Sequence, residues 1–194
     1  MIIIEILLVL FFLLWTWNVK RENLTKIDDK VYEKVIFKDI KTNLLKVLTN
    51  LASYKFFVLL LFILLFIDKK WFCIYLCLLI IDAIIIWVVK HILKRERPTI
   101  KPLVKEKGYS YPSGHTTTAS CFYGFLIYLV SVSSMILPLK IVLIISLIFL
   151  IFLIGYSRIY LGVHYFSDVI GGLLFGTCYT LIYVYFIHFL LNII

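Results

Sequence analysis

Six long apolar segments constrain this chain more than any other feature of its 194 residues. A helix needs about 20 apolar residues to cross the hydrocarbon core of a bilayer. Hydrophobic residues make up 63% of the chain and charged residues 16%, whereas soluble proteins average about 45–50% and about 25%. These proportions exclude a disordered chain, a disulfide scaffold and an ordinary soluble enzyme. The predicted fold is an all-α integral membrane protein, a six-helix transmembrane bundle with spans at about 1–17, 51–67, 71–93, 115–137, 139–156 and 168–194.

The segment between the first two spans differs from the rest. Residues 1–17 have no basic start and no small-residue cleavage site, so we expect a retained anchor rather than a signal peptide. Residues 18–50 hold eight Lys or Arg and five Asp or Glu, and their apolar residues recur at helical spacing. This pattern predicts an amphipathic segment on the membrane surface, with a docking helix for a partner as the alternative. The whole chain, 1–194, is predicted to form one membrane-embedded domain with active-site loops at 94–114 and 157–167.

Charge indicates the class of partner. The formal net charge is +9, and cations must lie outside the hydrocarbon or line a polar site, because a buried unpaired charge costs at least about 2.5–3.5 kcal/mol. The predicted partners are therefore the lipid bilayer and a phosphate-bearing lipid, not nucleic acid. The sequence leaves the oligomeric state open.

One carboxylate and four cysteines within the apolar segments are candidates for a functional role. Asp82 lies in the middle of the third span, where a carboxylate is either functional, protonated or bonded to a hydroxyl on a neighbouring helix. We favour the structural roles because no partner is identifiable from sequence. The cysteines are expected to pack as small hydrophobic residues; they are Cys73, Cys77, Cys121 and Cys178.

Polar residues collect at one end of the predicted bundle. Because successive spans alternate in direction, the end of the third, the start of the fourth, the end of the fifth and the start of the sixth share one membrane face. That face carries Lys90, Lys94, Arg95, Arg97, Ser113, His115, Arg158, His164 and Asp168. Guanidinium groups fit phosphate oxygens, and the amides at a helix N-terminus attract anions. This face therefore predicts an anion site, although Ser113 alone is also explained as an N-cap, and Lys94 and Arg95 are expected to be solvated or to face headgroups.

Two histidines on this face fit separate chemical roles. His164 and Asp168 are four residues apart, and a carboxylate bonded to one imidazole nitrogen raises the basicity of the other. His115 lies on a different span and is suited to protonate a leaving oxygen. Together with the cations, this arrangement predicts phosphoryl transfer without a metal or other cofactor. A metal site is the alternative, and the many cations disfavour it.

The spacing of these residues resembles that of the type 2 phosphatidic acid phosphatase family. Three signatures of that family match in order: Lys90 with Arg97-Pro98, then Pro112-Ser113-Gly114-His115, then Ser157-Arg158 with His164 and Asp168. Arg95-Glu96-Arg97-Pro98 and the residues around His164 are most similar to small bacterial members, of the phosphatidylglycerophosphatase B and undecaprenyl pyrophosphate phosphatase types.

The resemblance implies a role for each residue. His164 would attack phosphorus and form a phosphohistidine, Asp168 would orient it, and His115 would protonate the leaving group. The residues that would hold the phosphate oxygens are Lys90, Arg97, Ser113, Gly114 and Arg158. The implied activity is metal-independent hydrolysis of a phosphate or pyrophosphate monoester on a membrane lipid: phosphatidylglycerophosphate, undecaprenyl pyrophosphate or phosphatidate.

Other functions remain open at this point. A phosphotransferase would use the same residues with an alcohol acceptor in place of water. A non-catalytic phospholipid-binding or transport protein would bind without turnover. Vanadate-dependent haloperoxidation uses a similar anion pocket in soluble relatives, and the membrane composition argues against it.

The resemblance implies a bacterial cytoplasmic membrane with the active site on the extracytoplasmic face. The basic residues oppose this orientation. Sixteen of the 20 Lys and Arg lie on the predicted site face, and cytoplasmic loops usually carry the excess. We follow the resemblance because phosphate binding accounts for some of those cations.

Overall fold

The computed structural model describes residues 2–35, 42–99 and 102–191. Within these ranges the chain is helical apart from its connections, as predicted, and it contains eight helices. They are α1 (Ile2–Lys20), α2 (Thr25–Val35), α3 (Thr42–Asn50), α4 (Tyr54–Ile67), α5 (Lys69–Leu93), α6 (Gly114–Val132), α7 (Leu137–Tyr160) and α8 (Phe166–Leu191).

Helix length and composition do not support all six predicted spans. In the described part of the chain, α1, α5, α7 and α8 are long and apolar enough to cross a membrane, and α3 with α4 makes a fifth span if this pair, bent by 45°, crosses as one unit. Length and composition therefore support four or five spans rather than six. Alone, α4 has 14 residues and is about 21 Å long, short of the ~30 Å hydrocarbon core. The predicted fourth span corresponds to α6, whose first turn is polar.

The predicted interfacial segment 18–50 is not one continuous helix. Helix α1 continues to Lys20, and α2 and α3 follow on either side of residues 36–41, which lie outside the described residues. Asp28 and Tyr32 of α2 are buried, and so are Leu45 and Thr49 of α3. Both helices therefore pack on the protein, α2 against α7 and α8 and α3 against α7.

Helix α6 lies at the centre of the bundle, against α5, α7 and α8. Its contact with α8 is close because α8 presents two glycines four residues apart. A Cβ at Gly172 would lie 2.9 Å from the carbonyl oxygen of Ser113, and one at Gly176 would lie 2.6 Å from that of Thr117. Small residues at this spacing let two membrane helices approach backbone to backbone. Gly172 and Gly176 therefore allow the start of α6 to lie close beside the start of α8.

Two predicted boundaries are wrong. The fourth span was predicted to end at residue 137, but α6 ends at Val132, and Pro138 lies in the first turn of α7. That position suits proline because the first-turn N–H groups of a helix have no intrahelical acceptor. Arg158, expected in the loop 157–167, lies in the last turn of α7.

Asp82 is part of the packing between α5 and α6. Its carboxylate accepts hydrogen bonds from Thr118 Oγ1 at 2.7 Å and from Cys121 Sγ at 3.2 Å. This is the hydroxyl partner on a neighbouring helix that the sequence left as one alternative. Cys121 is thus also a hydrogen-bond donor, in addition to being a small buried residue.

Candidate active site

Backbone hydrogen bonds join the connections at one end of the bundle. Ser113 N donates to the carbonyl of Asp168 at 3.1 Å, which ties the start of α6 to the start of α8. Ser110 N donates to the carbonyl of Arg95 at 2.8 Å, and Leu103 N to that of Leu161 at 3.0 Å. The four helix ends named by the sequence are therefore held together in space.

His164 and Asp168 lie side by side and are buried. His164 Nδ1 is 3.5 Å from Asp168 Oδ2, an ion-pair distance rather than a hydrogen bond. Hydrogen bonds between catalytic groups are often long in a free enzyme and shorten in the reacting complex. Asp168 Oδ2 also accepts the backbone N–H of Tyr165 at 2.9 Å, which holds the carboxylate toward the imidazole.

The other nitrogen of His164 faces Arg97. Arg97 Nη1 is 3.3 Å from His164 Nε2 and 2.9 Å from the carbonyl oxygen of Val163. Burial, and then the positive charges of Arg158, Lys90 and Arg97, hold the pKa of His164 well below its ordinary value. The imidazole is therefore neutral at pH 7. An N–H on Nδ1 facing Asp168 leaves a lone pair on Nε2, the nitrogen on the side of the cations.

Arg158 is almost fully buried at the end of α7. Its Nη1 donates to Thr49 Oγ1 of α3 at 2.8 Å, and its Nη2 pairs with the carboxylate of Glu106. Partial burial acts to raise the pKa of Glu106, but Arg158, and to a smaller extent His115 and Arg97, hold that pKa below its ordinary value. Glu106 is not among the residues predicted from the sequence. An ionised carboxylate thus lies against the groups predicted to hold phosphate.

The other two cations predicted to bind phosphate contact the residues next to Glu106. Lys90 Nζ donates to the carbonyl of Tyr109 at 2.6 Å. Arg97 donates to the carbonyls of Gly108 at 2.9 Å and Lys107 at 3.0 Å. All three cations therefore bind residues 106–109, which we call the covering loop.

The start of α6 completes the arrangement. Ser113 occupies the N-cap position, but its side chain makes no capping bond; Ser113 Oγ instead pairs with Thr116 Oγ1 at 2.9 Å. A Cβ at Gly114 would meet no described atom within 4 Å beyond its own neighbours and helix backbone. Packing therefore does not require glycine here. His115 follows on the first turn and interacts electrostatically with Glu106.

Two residues of this cluster were misread or missed in the sequence. Arg95 was expected to be solvated or to face headgroups, but its side chain is only 17% exposed and forms ion pairs with Asp28 at 2.7 Å and Asp168 at 2.6 Å. Asp28 is buried in α2. The sequence did not indicate a role for Asp28, because this acid lies in a segment with eight basic residues and its partner Arg95 is 67 positions away.

The chain gives no ligand set for a metal within its described residues. No group of three or more His, Cys, Asp or Glu lies close enough there to hold an ion. Metal independence stays a prediction, and the experiment proposed below tests it.

Comparison with known proteins decides the family. A family model described as the PAP2 superfamily matches residues 71–191, a range that includes every predicted site residue. This chain belongs to the PAP2 superfamily. The family resemblance read from the three signatures is thereby confirmed.

One curated relative and two solved structures are similar to this chain. Phosphatidylglycerophosphatase B of Bacillus subtilis (strain 168) is 39% identical over 97 residues, which cover 49% of this chain and 47% of that relative. The match thus spans about half of the curated relative's length. The crystal structure of a transmembrane PAP2-type phosphatidylglycerolphosphate phosphatase from Bacillus subtilis covers 94% of both chains at a TM-score of 0.82 and 27% identity. Aquifex aeolicus LpxE shares the fold, with a TM-score of 0.64 at 23% identity over 80% of this chain and 93% of that one.

Proposed function

We propose that this protein is a lipid phosphatase, a phosphoric monoester or diphosphate hydrolase that works without a metal. The observation that carries the proposal is the environment of His164. Its Nε2 faces Arg97, its Nδ1 faces Asp168, and Lys90 and Arg158 act on it electrostatically. A neutral imidazole directed into a cluster of cations is suited to attack the phosphorus of a bound anion.

Phosphate binding uses donors that the covering loop now occupies. The phosphate oxygens take the place of the Glu106 carboxylate and the loop carbonyls on Lys90, Arg97 and Arg158. In the described structure, Arg158 Nε is buried without a hydrogen-bond partner, and such a group costs about 1–3 kcal/mol. An anion that accepts this N–H removes that cost. Ser113 Oγ and the first-turn amides that begin at Gly114 complete the site from the start of α6.

The reaction proceeds in two steps. His164 Nε2 forms a bond to phosphorus while the bond from phosphorus to the lipid oxygen breaks, and His115 gives its proton to that leaving oxygen. Asp168 stabilises the imidazolium charge. A water molecule then attacks phosphorus, the P–N bond breaks, and His115 takes the proton from the water. Phosphate leaves and both histidines return to their starting states.

The membrane arrangement follows from the helices that surround the site. We propose six crossings, with α6 and the bent α3–α4 pair added to the four apolar helices. The large apolar side chains exposed on α1, α4, α5 and α7 face the lipid, so that a substrate tail remains in the bilayer while its phosphate enters the site. We place the protein in the bacterial cytoplasmic membrane with the site extracytoplasmic. The excess of basic residues on the site face opposes this orientation less strongly because four of them make contacts inside the protein: Lys90, Arg95, Arg97 and Arg158.

Phosphate release by detergent-purified protein in EDTA tests this function. We expect turnover on at least one of phosphatidylglycerophosphate, undecaprenyl pyrophosphate and phosphatidate, at a rate unchanged by added Mg²⁺, because protein cations neutralise the phosphate.

Folded protein that releases no phosphate from any of these lipids would contradict the proposal. The same assay with an added alcohol separates the alternatives. A phosphorylated alcohol as the main product would identify a phosphotransferase, and lipid binding without turnover would identify a binding protein.

Glu106→Gln is expected to improve substrate binding. The amide keeps a hydrogen-bond acceptor for Arg158 but removes the negative charge that competes with phosphate. We expect KM and the inhibition constant of inorganic phosphate to fall about tenfold, which corresponds to about 1.4 kcal/mol. The melting temperature should fall as well, since the ion pair with Arg158 is lost.

Glu96→Gln is the matched control, because Glu96 is exposed on the same connection. It should leave both constants unchanged. A Glu106→Gln protein that binds phosphate no better than the parent would show that the carboxylate does not compete for the site.

A further inference from the structure

Arg95 joins two buried carboxylates from distant parts of the chain. Its Nη1 donates to Asp168 Oδ1 at 2.6 Å and its Nη2 to Asp28 Oδ2 at 2.7 Å. The guanidinium also lies over the ring of Tyr165, 4.5 Å from its centroid. Arg95 therefore contacts Oδ1 of Asp168, whereas His164 faces Oδ2. Asp168 connects Arg95 to the imidazole, so Arg95 acts from outside the reacting groups.

Asp28 is fixed at the other end of this chain of contacts. Its Oδ1 accepts the backbone N–H of Ser167 at 2.8 Å, and its Oδ2 accepts the hydroxyl of Ser167 at 2.6 Å. The oxygen of that hydroxyl also accepts from Arg95 Nη1 at 2.7 Å. Asp28 is 1% exposed, so its carboxylate satisfies its hydrogen bonds within the protein. Helix α2 is thereby bound to the first turn of α8.

The state of Asp168 depends on this arrangement. Asp168 has 0% exposure, and a buried carboxylate without a charged partner tends to take up a proton. A protonated Asp168 no longer stabilises the imidazolium that forms on His164. Arg95 opposes that protonation through a direct charged hydrogen bond.

Asp28 determines where the charge of Arg95 acts. With one amino group of the fork held by Asp28, the other remains directed at Asp168. Asp28 also balances the charge of the guanidinium, so the Asp168 carboxylate keeps its attraction for His164.

We propose that Arg95 and Asp28 are positioning residues for the reaction, which keep Asp168 ionised and oriented toward His164. The inference rests on the proposed phosphohistidine function, and it makes α2 a functional part of the site. Neither residue belongs to the three signatures that define the resemblance. Arg95 needs a guanidinium rather than any cation, because a lysine ammonium lacks the planar fork that spans two carboxylates.

The first test separates catalysis from binding. Arg95→Ala and Arg95→Lys are expected to lower kcat by about 10–100-fold, as loss of an outer orienting contact does, with KM nearly unchanged. Asp28→Asn should have a smaller effect of the same kind. Lys94→Gln is the matched control, because Lys94 is the exposed neighbour, and it should behave like the parent. A drop in kcat that the control shares would count against the proposal.

Two further measurements distinguish a positioning role of Arg95 from a purely structural one. A cavity of about 410 Å³, lined by Arg95, Lys94, Tyr165 and Thr25 among others, borders the guanidinium, so added guanidinium ion can reach the position in Arg95→Ala. We expect it to restore part of the lost kcat in Arg95→Ala and none in Asp168→Asn. In the Asp168→Asn background, Arg95→Ala should lower kcat by less than about threefold more, because both changes remove one function.

The outcomes are distinguishable from failure of the proposed function. If the unsubstituted protein releases no phosphate, the function itself fails, before any variant is made. If the unsubstituted protein releases phosphate, either of two results overturns the positioning role. One is that guanidinium does not restore kcat in Arg95→Ala. The other is that the kcat loss of the double variant equals the product of the losses in Arg95→Ala and Asp168→Asn. Thermal melting in detergent identifies variants that do not fold. If Arg95→Ala is among them, the charge-preserving Arg95→Lys is compared with its own Asp168→Asn double variant.

Discussion

We expect His164→Ala to lower lipid phosphate release by about 10⁴-fold or more, because the substitution removes the proposed nucleophile. Binding should survive, since Lys90, Arg97 and Arg158 remain. The measurement is a single-turnover experiment with ³²P-labelled lipid, quenched and tested for label on the protein. The parent should carry a phosphoramidate, stable to base and cleaved by acid, and the variant should carry none.

His188→Ala is the matched control for this prediction. His188 lies near the far end of α8, partly buried, so the same substitution there should leave phosphoenzyme formation intact. Labelling of the His164→Ala protein at a parental rate would show that another residue is the nucleophile.

The second large effect is expected at His115. His115→Asn should lower kcat on lipid phosphates by about 10²–10⁴-fold, the usual contribution of a general acid. The loss should depend on the leaving group. A lipid alkoxide needs a proton as it departs, whereas p-nitrophenolate leaves without one. We therefore expect a much smaller loss with p-nitrophenyl phosphate, measured as initial rates in the same detergent.

His164→Ala supplies the contrast for this assay. It should lose activity on both substrates, because the nucleophile is needed whatever the leaving group. Equal losses of His115→Asn on lipid phosphate and p-nitrophenyl phosphate would assign His115 to binding or structure and remove it from the acid role.

Sequence periodicity predicted the helical architecture but not the boundaries. The apolar segments identified α1, α5, α7 and α8 because such lengths fit only a membrane or a core. The segment that forms α6 was predicted as a span, but α6 does not qualify as one by composition because its first turn is polar. The bend between α3 and α4 and the close approach of Gly172 and Gly176 to α6 depend on contacts between helices. Local propensity contains no information about those contacts.

The residues of the candidate site were likewise predicted only in part from the sequence. The residues of the three signatures were identified from spacing and chemistry, and the structure brings His164, Asp168, Arg97 and Arg158 to one end of the bundle. Their assignment as catalytic and phosphate-binding groups remains a prediction. Glu106 was overlooked because an acid in a loop rich in lysine reads as a solvated charge. Its position against Arg158 follows only from how the covering loop folds back.

Hydropathy and the three signatures identify this chain as a membrane protein of the PAP2 superfamily and predict an anion site at one end. Hydrophobic length and the type and order of a few polar residues are properties of the linear chain. The inward orientation of Arg95, which links Asp28 to Asp168, follows from how the helices pack and not from the linear sequence. The physical reason is that a buried charge requires a partner of opposite sign, and packing of α2 against α8 supplies that partner from a distant part of the chain.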